Sequence, residues 1–339
     1  MATLNTMGRR VILLSVLLMG WLGCTHSKEP HAKEAIDKGA TMTSPETASA
    51  VIYRSTDAGK TWMSYANGVP QEATVSSFLE IDNITYATTD IHGIYAIKQG
   101  ETKWLRIDAD LPENVDINAM TAINNVFMTG THKHGILISR NGGLNWEQSS
   151  NSLSHTPIRC LFSYETIVFA GADDGIYKSM DQGKTWQQVY RGVQTNGFAV
   201  LGNKIYAAVM NGALMTLDDG VNWKYIYKPH TLHDISSDGI NVYAMTLGGG
   251  LLKSKNDGLT WENVNGGLGE TRWYTFEVKN IDDQLFAAQW HGIYSSDKSG
   301  RKWEMLKNGL PDSTAFSTLE ATGTGLIAGI GLRKSKRWN

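Results

Sequence analysis

From residue 51 onward the chain is written in short apolar–polar alternations broken by Gly, Asn and Asp. Ile158 to Phe162 and Gly175-Ile176-Tyr177-Lys178-Ser179 are examples. Period-two runs of this length predict β-strands, and the glycine-rich breaks predict tight turns. One kind of run has an aromatic or branched residue followed by small ones: Tyr86-Ala87, Phe127-Met128, Phe169-Ala170, Tyr206-Ala207, Tyr243-Ala244, Phe286-Ala287 and Ile327-Ala328. A Gly-containing turn and a further strand follow each copy.

A second signature recurs with it. Ser55-Thr56-Asp57-Ala58-Gly59-Lys60-Thr61-Trp62 returns at Ser139–Trp146, Ser179–Trp186, Thr216–Trp223 and Ser254–Trp261. A degenerate copy ends at Trp303 and a more eroded one at Trp104. The seven tryptophans are spaced 42, 42, 40, 37, 38 and 42 residues apart. About forty residues hold four strands of ordinary length with short turns, and four-stranded units at this period are propeller blades. The box has a structural task. Its Asp or Asn can accept N–H groups across the turn, its Gly can adopt positive φ, and its Trp can pack between sheets. Asp57, Gly59, Trp62, Trp146, Asp181, Gly183, Trp186, Asp218, Gly220, Trp223, Gly258, Trp261 and Trp303 are expected in that role.

The two series are offset. The first unit, from Val51, lacks inner strands, and the last has inner strands over Ala315–Leu319 and Gly325–Ile330 but no complete box. Joining them predicts an all-β, seven-bladed propeller of four-stranded blades, closed by the two ends of the chain without open sheet edges. Gly331–Ser335 also has the look of a third strand, so a two-plus-two or three-plus-one split of the closing blade stays open.

The N-terminus is different. Arg9 and Arg10 precede an apolar run from Val11 to Leu22, then Gly23 and Cys24. The run is shorter than the ~20 residues a spanning helix takes, and its flanks describe a secretory signal over residues 1–23. Cys24 resembles the lipidated cysteine of bacterial lipoproteins, although Trp21 stands where that pattern favours Leu. Residues 24–50 read as a polar tether with a reach of roughly 25–30 Å, and residues 51–339 as the propeller. Cys160 is then the one thiol left, expected in the core or lining the channel.

The box resembles the Asp-box (BNR) repeat superfamily over residues 51 to about 335, and the short, regular blades are most similar to photosystem II stability/assembly factor-like bacterial proteins. That resemblance implies boxes on the outer turns, away from the ligand face, and the superfamily also includes sialidases and xyloglucan hydrolases. A sialidase needs three arginines; Arg159 and Arg272 are the two axial candidates, and the Phe-Arg-Ile-Pro segment is absent. Another glycosidase needs two converging carboxylates, and Asp90, Asp173 and Asp174 give no sign of convergence. With 31 basic and 33 acidic residues the net charge is −2, which gives nucleic acid little electrostatic purchase. Gly248–Gly250 precedes a strand, so it cannot be a phosphate-cradling helix start.

The turns between second and third strands carry His92, His134, Asp174, Asn211 and Trp290-His291. With Arg272 and Trp273 from an inter-blade segment, these are the candidate binding face. His92, His134 and His291 sit on separate blades, so no metal site is assigned, and no catalytic residue or cofactor. The sequence thus leads to an expectation: a monomeric, extracytoplasmic lipoprotein propeller that binds a protein partner or scaffolds assembly at the cell envelope. The alternative is a carbohydrate-binding or glycoside-hydrolysing, sialidase-like propeller.

Overall fold

The structure, a computed structural model, describes residues 50–331 apart from 109, 113, 150–152, 229, 249, 269–274 and 282. The signal segment, Cys24 and the tether, Arg272, Trp273, Gly249 and the stretch beyond Gly331 lie outside the described residues.

Seven four-stranded antiparallel sheets form the ring. Blades 1 to 6 begin with the innermost strands Val75–Ile81, Ile117–Ile123, Ile158–Tyr164, Thr195–Leu201, Leu232–Ser237 and Thr275–Ile281. Blade 7 takes its two inner strands, Phe316–Thr322 and Gly325–Ile330, from the end of the chain and its two outer strands, Ile52–Ser55 and Met63–Ser64, from the beginning. Ile52 pairs with Gly329 and Ser55 with Leu326. The closing blade is therefore split two-plus-two.

Buried apolar side chains form seven clusters, one at each interface between neighbouring blades. The aromatic-then-small signature makes these interfaces. Phe169, Tyr206, Tyr243 and Phe286 are almost fully buried, and alanines such as Ala207, Ala244 and Ala287 let the sheets converge toward the axis. The two signatures also meet in space. Gly59 and Gly220, both at positive φ, lie over Phe286 and Phe169 of the preceding blade, and a Cβ at either glycine would come within 2.7 and 2.6 Å of the ring.

The boxes close on themselves. In the first, Gly59 N donates to Ser55 Oγ (2.9 Å), Thr61 N to Asp57 Oδ1 (2.9 Å) and Trp62 Nε1 to Gly59 O (3.0 Å). Asn141 and Asn256 accept the same backbone bond in their boxes, from Asn145 and Thr260. The residue before the glycine is left-handed too: Ala58, Gln182, Asp219 and Asp257 have φ between 54 and 60°.

Three box tryptophans are sealed differently. Trp62, Trp104 and Trp303 are at most 5% exposed, whereas Trp146, Trp186, Trp223 and Trp261 are half-buried. The backbone N–H of each sealed Trp donates to an Asn-Gly-type turn that follows the preceding blade: to Asn308 O, Asn67 O and Gly266 O. Blades 6, 7 and 1, which flank the closure, are those with the extra cover. The eroded boxes at Trp104 and Trp303 are thus supported from outside. Their indoles donate to Tyr65 O and Val264 O in place of the box glycine.

Candidate binding face and central channel

The end of the ring opposite the boxes carries the turns between second and third strands. In blades 1 to 5 the residue after the second strand donates its N–H to the segment entering the innermost strand: Asp90 to Thr74 O, His132 to Asp116 O, Asp173 to Pro157 O, Met210 to Gln194 O and Leu247 to Thr231 O. These bonds put the turns and the inter-blade segments at one end of the ring.

His92, His134, Asp174, Asn211 and His291 fall in the turns of blades 1, 2, 3, 4 and 6. Most are tied locally. His92 Nδ1 lies 3.1 Å from Asp90 Oδ1, the His134 N–H donates to Thr131 Oγ1, and Asp174 accepts the Tyr177 hydroxyl at 2.8 Å. Asn211 is exposed. Burial works against the Asp90 charge, but the hydrogen bonds from His92 and the backbone outweigh it and hold the carboxyl below its usual range. Among the described residues, no group of three His, Cys, Asp or Glu side chains is arranged to hold a metal ion. Asp173 pairs with Arg159, whereas Asp174 is turned to Tyr177.

The turns surround the mouth of a central cavity of about 950 Å³ that all seven innermost strands line. Its wall has a repeated irregularity. Every innermost strand shifts register once near its start, and the extra residue is Ser76, Asn118, Arg159, Asn196, His233, Phe276 or Ser317 in turn. A bulge bends the strand and re-aims its side chain, and here it does so at the same depth in each blade. In three blades the bulge residue stitches the ring. Asn118 Nδ2 donates to Ile158 O (2.8 Å), Asn196 Nδ2 to Leu232 O (2.7 Å) and Ser317 Oγ to Val75 O (2.7 Å).

Elsewhere the wall is charged. Lys279 Nζ is 3.0 Å from both Glu277 Oε1 and Glu320 Oε2, bridging blades 6 and 7, and Glu277 Oε2 also accepts the Leu319 N–H. Burial opposes the Lys279 charge, yet the two carboxylates prevail and hold its pKa above the lysine range. Burial raises Glu320, and burial with the nearby Glu277 raises Asp234 well above its ordinary value. Burial and the Arg159 charge push His233 down to about 4, so its ring is neutral near pH 7. Cys160 lines the channel, and burial lifts its thiol pKa, which makes it a poor nucleophile.

His233 meets the Phe276 ring edge-on at 5.4 Å, and Phe276 stacks on Trp290 at 6.0 Å. An aromatic strip therefore runs from the charged wall to the candidate residue Trp290. Sequence reasoning found Trp290 and Arg159 but missed Asp234, Glu277, Lys279 and Glu320. The signal lay in the residue types that follow each bulge, and a bulge has no residue signature of its own.

No family model matches the chain, and no curated protein does. Solved structures share its fold. YCF48 bound to D1 peptide is 14% identical, with 77% of this chain and 94% of that one covered and a TM-score of 0.62. The extracellular domain of a one-component system from B. thetaiotaomicron is 14% identical, covering 78% of this chain and 38% of that one, at a TM-score of 0.64. The GH74 xyloglucanase from Xanthomonas campestris is also 14% identical, covering 84% and 55%, at a TM-score of 0.60. At these identities the likeness establishes a fold common to protein-binding and carbohydrate-active propellers.

Proposed function

We propose that the protein is an extracytoplasmic, lipid-anchored propeller of Asp-box type that docks a protein partner at the cell envelope, using the face that carries the second-to-third-strand turns. The observation that carries this reading is the wide, polar channel mouth with Trp290 stacked at its edge on Phe276. Trp and Arg dominate binding energy when they border a desolvated pocket, and a ring stitched blade to blade presents such a mouth at low ordering cost. The solved likeness with a bound peptide and the extracellular domain of a one-component system with the same fold support it. Cys24 is the proposed attachment point, and the boxes are the proposed structural turns of the opposite end. The reading includes no catalytic step.

The same stacked pair favours one other reading. Aromatic faces also bind sugars, and a GH74 enzyme shares the fold, so a glycan ligand on Trp290 is the alternative. The test is a Trp290→Ala/His291→Ala double variant of the full chain with unchanged thermal unfolding. It should lose the partner retained by the wild type in a pull-down from envelope extract. Loss on a glycan array, with protein capture intact, selects the alternative, and full retention of both places recognition elsewhere.

A further inference from the structure

Charged side chains line the channel in several blades, and in the sector of blades 5 to 7 they are unbalanced. Blades 5, 6 and 7 bring Asp234, Glu277 and Glu320 to the cavity, and Lys279 is their one ammonium, shared between Glu277 and Glu320. Among the described residues Asp234 makes no ion pair, and the Lys279 charge acts on it only at a distance. Its polar partner among the described residues is the N–H of Ile235, and its carboxyl is enclosed by protein except toward the channel. Arg159, on blade 3, is engaged by Asp173. An enclosed carboxylate without an ion-pair partner is costly, because one backbone N–H and a distant ammonium do not replace the lost solvent.

Two features fit a ligand to this place. On blade 4 the residue facing Asp234 is Gly197, and any Cβ there would collide with Asp234 Oδ1. The carboxyl lies against bare backbone, and the glycine keeps its place free. On the other side Phe276 borders the acids and continues to Trp290 at the mouth. Acids at the end of an aromatic strip match a cation on an apolar stem. A cavity of about 950 Å³ is in the size range of organic ligands and far larger than a bare ion needs.

We propose that Asp234 and Glu277 receive the ammonium or guanidinium group of a lysine or arginine side chain presented by the protein partner, with the stem of that side chain lying along Phe276 and Trp290. This rests on the protein-docking reading and specifies its chemistry. The partner supplies the missing cation, and the three carboxyl groups then face two positive charges. The raised proton affinity of Asp234 agrees with an acid waiting for that charge.

The experiment is a calorimetric titration of the full chain with acetyl-Gly-Lys-Gly-amide and with its norleucine counterpart, which has the stem but no charge. The lysine peptide should bind about tenfold or more tightly than the norleucine peptide, and Asp234→Asn, of equal size, should weaken the lysine peptide by about tenfold. Glu304→Gln, on the outer edge of blade 6, should leave it unchanged. Equal binding of the two peptides, no binding of either, or indifference to Asp234→Asn overturns the inference. A partner captured equally by wild type and Asp234→Asn also overturns it, while the docking reading stands. Lysine-peptide binding by a protein that captures no partner supports the cation site and counts against docking.

Discussion

The box rim and the channel wall are both sevenfold, yet they repeat different things. At the rim the chemistry repeats: hydroxyl, carboxyl or amide, glycine and tryptophan recur, and eight consecutive residues satisfy one another's hydrogen bonds. At the wall the geometry repeats, one bulge per innermost strand, while the bulge residue ranges from serine to arginine to phenylalanine. A turn that closes locally constrains its own residues. A bulge constrains only the backbone and leaves its side chain to whatever the channel does. The rim is where the fold is built, and the wall is where the molecule has room to be specific.

Opening the ring should have the largest effect. Ending the chain before Ala315 removes the inner half of blade 7 with Phe316, Leu319 and Ile327, and leaves blades 6 and 1 without a neighbour at the axis. Loss of soluble, cooperatively unfolding protein is expected. A monomeric truncate with one sharp thermal transition would falsify ring closure as the source of stability.

Within the rim, the sealed and half-buried tryptophans should separate. Trp303→Ala empties a site that is 2% exposed and covered by the turn before Leu268, at a cost of about 3–5 kcal/mol. Trp186→Ala, at a half-buried site, should cost about half as much. Equal losses in denaturant titration would show that the Asn-Gly cover contributes nothing. Gly220→Ala should cost roughly 1–3 kcal/mol, since its φ of +83° and the Phe169 ring at 2.6 Å both oppose a side chain.

Mutating the wall should instead stabilise. Burial and Glu277 raise the native pKa of Asp234 above its unfolded value of about 3.9. The native state therefore holds that proton more tightly. Below the unfolded pKa the group costs nothing, and its cost grows as pH rises from there. Asp234→Asn should melt higher than wild type at pH 7 and no higher near pH 3. A lower melting point at pH 7 would mean that the carboxylate is already compensated. The smallest effect is expected at an exposed box acid. Hydrogen bonds from Asn222 N and from the Thr216 and Asn222 side chains lower Asp218 to about 2, so its contribution is complete above the usual carboxylate range and lost as pH falls toward 2. Asp218→Asn keeps the acceptor for the backbone bond, as Asn141 and Asn256 do. It should lower the melting point slightly at neutral pH and match wild type near pH 2.

Much of the architecture was legible because its causes are local. The tryptophan spacing set the blade length, the aromatic-then-small strands marked the blade interfaces, and the offset between the two series required a composite closing blade. The division of that blade was not legible, since Ile52–Ser55 and Gly331–Ser335 both read as third strands. Pairing decided it: Ile52–Ser55 aligns with Leu326–Gly329. The eroded boxes at Trp104 and Trp303 look weak in sequence, yet their tryptophans are among the most buried. Their support comes from Asn67 and Gly266, more than thirty residues away, and one repeat read by itself contains no record of its neighbour.

The candidate face divides in the same way. His92, His134, Asp174, Asn211 and Trp290-His291 could be placed at one end of the ring from repeat position alone, because strand direction alternates along a blade. Arg272 and Trp273 lie outside the described residues. The Asp234, Glu277, Lys279 and Glu320 sector could not be foreseen, because it joins three blades across 87 residues of chain and depends on which way each bulge turns its strand. Sequence by itself determined the repeat, the turn chemistry and the number of blades, all of which arise between residues a few positions apart. Only the tertiary structure decided which side chains face one another across the axis, because that depends on how seven separate sheets are rotated when the ring closes.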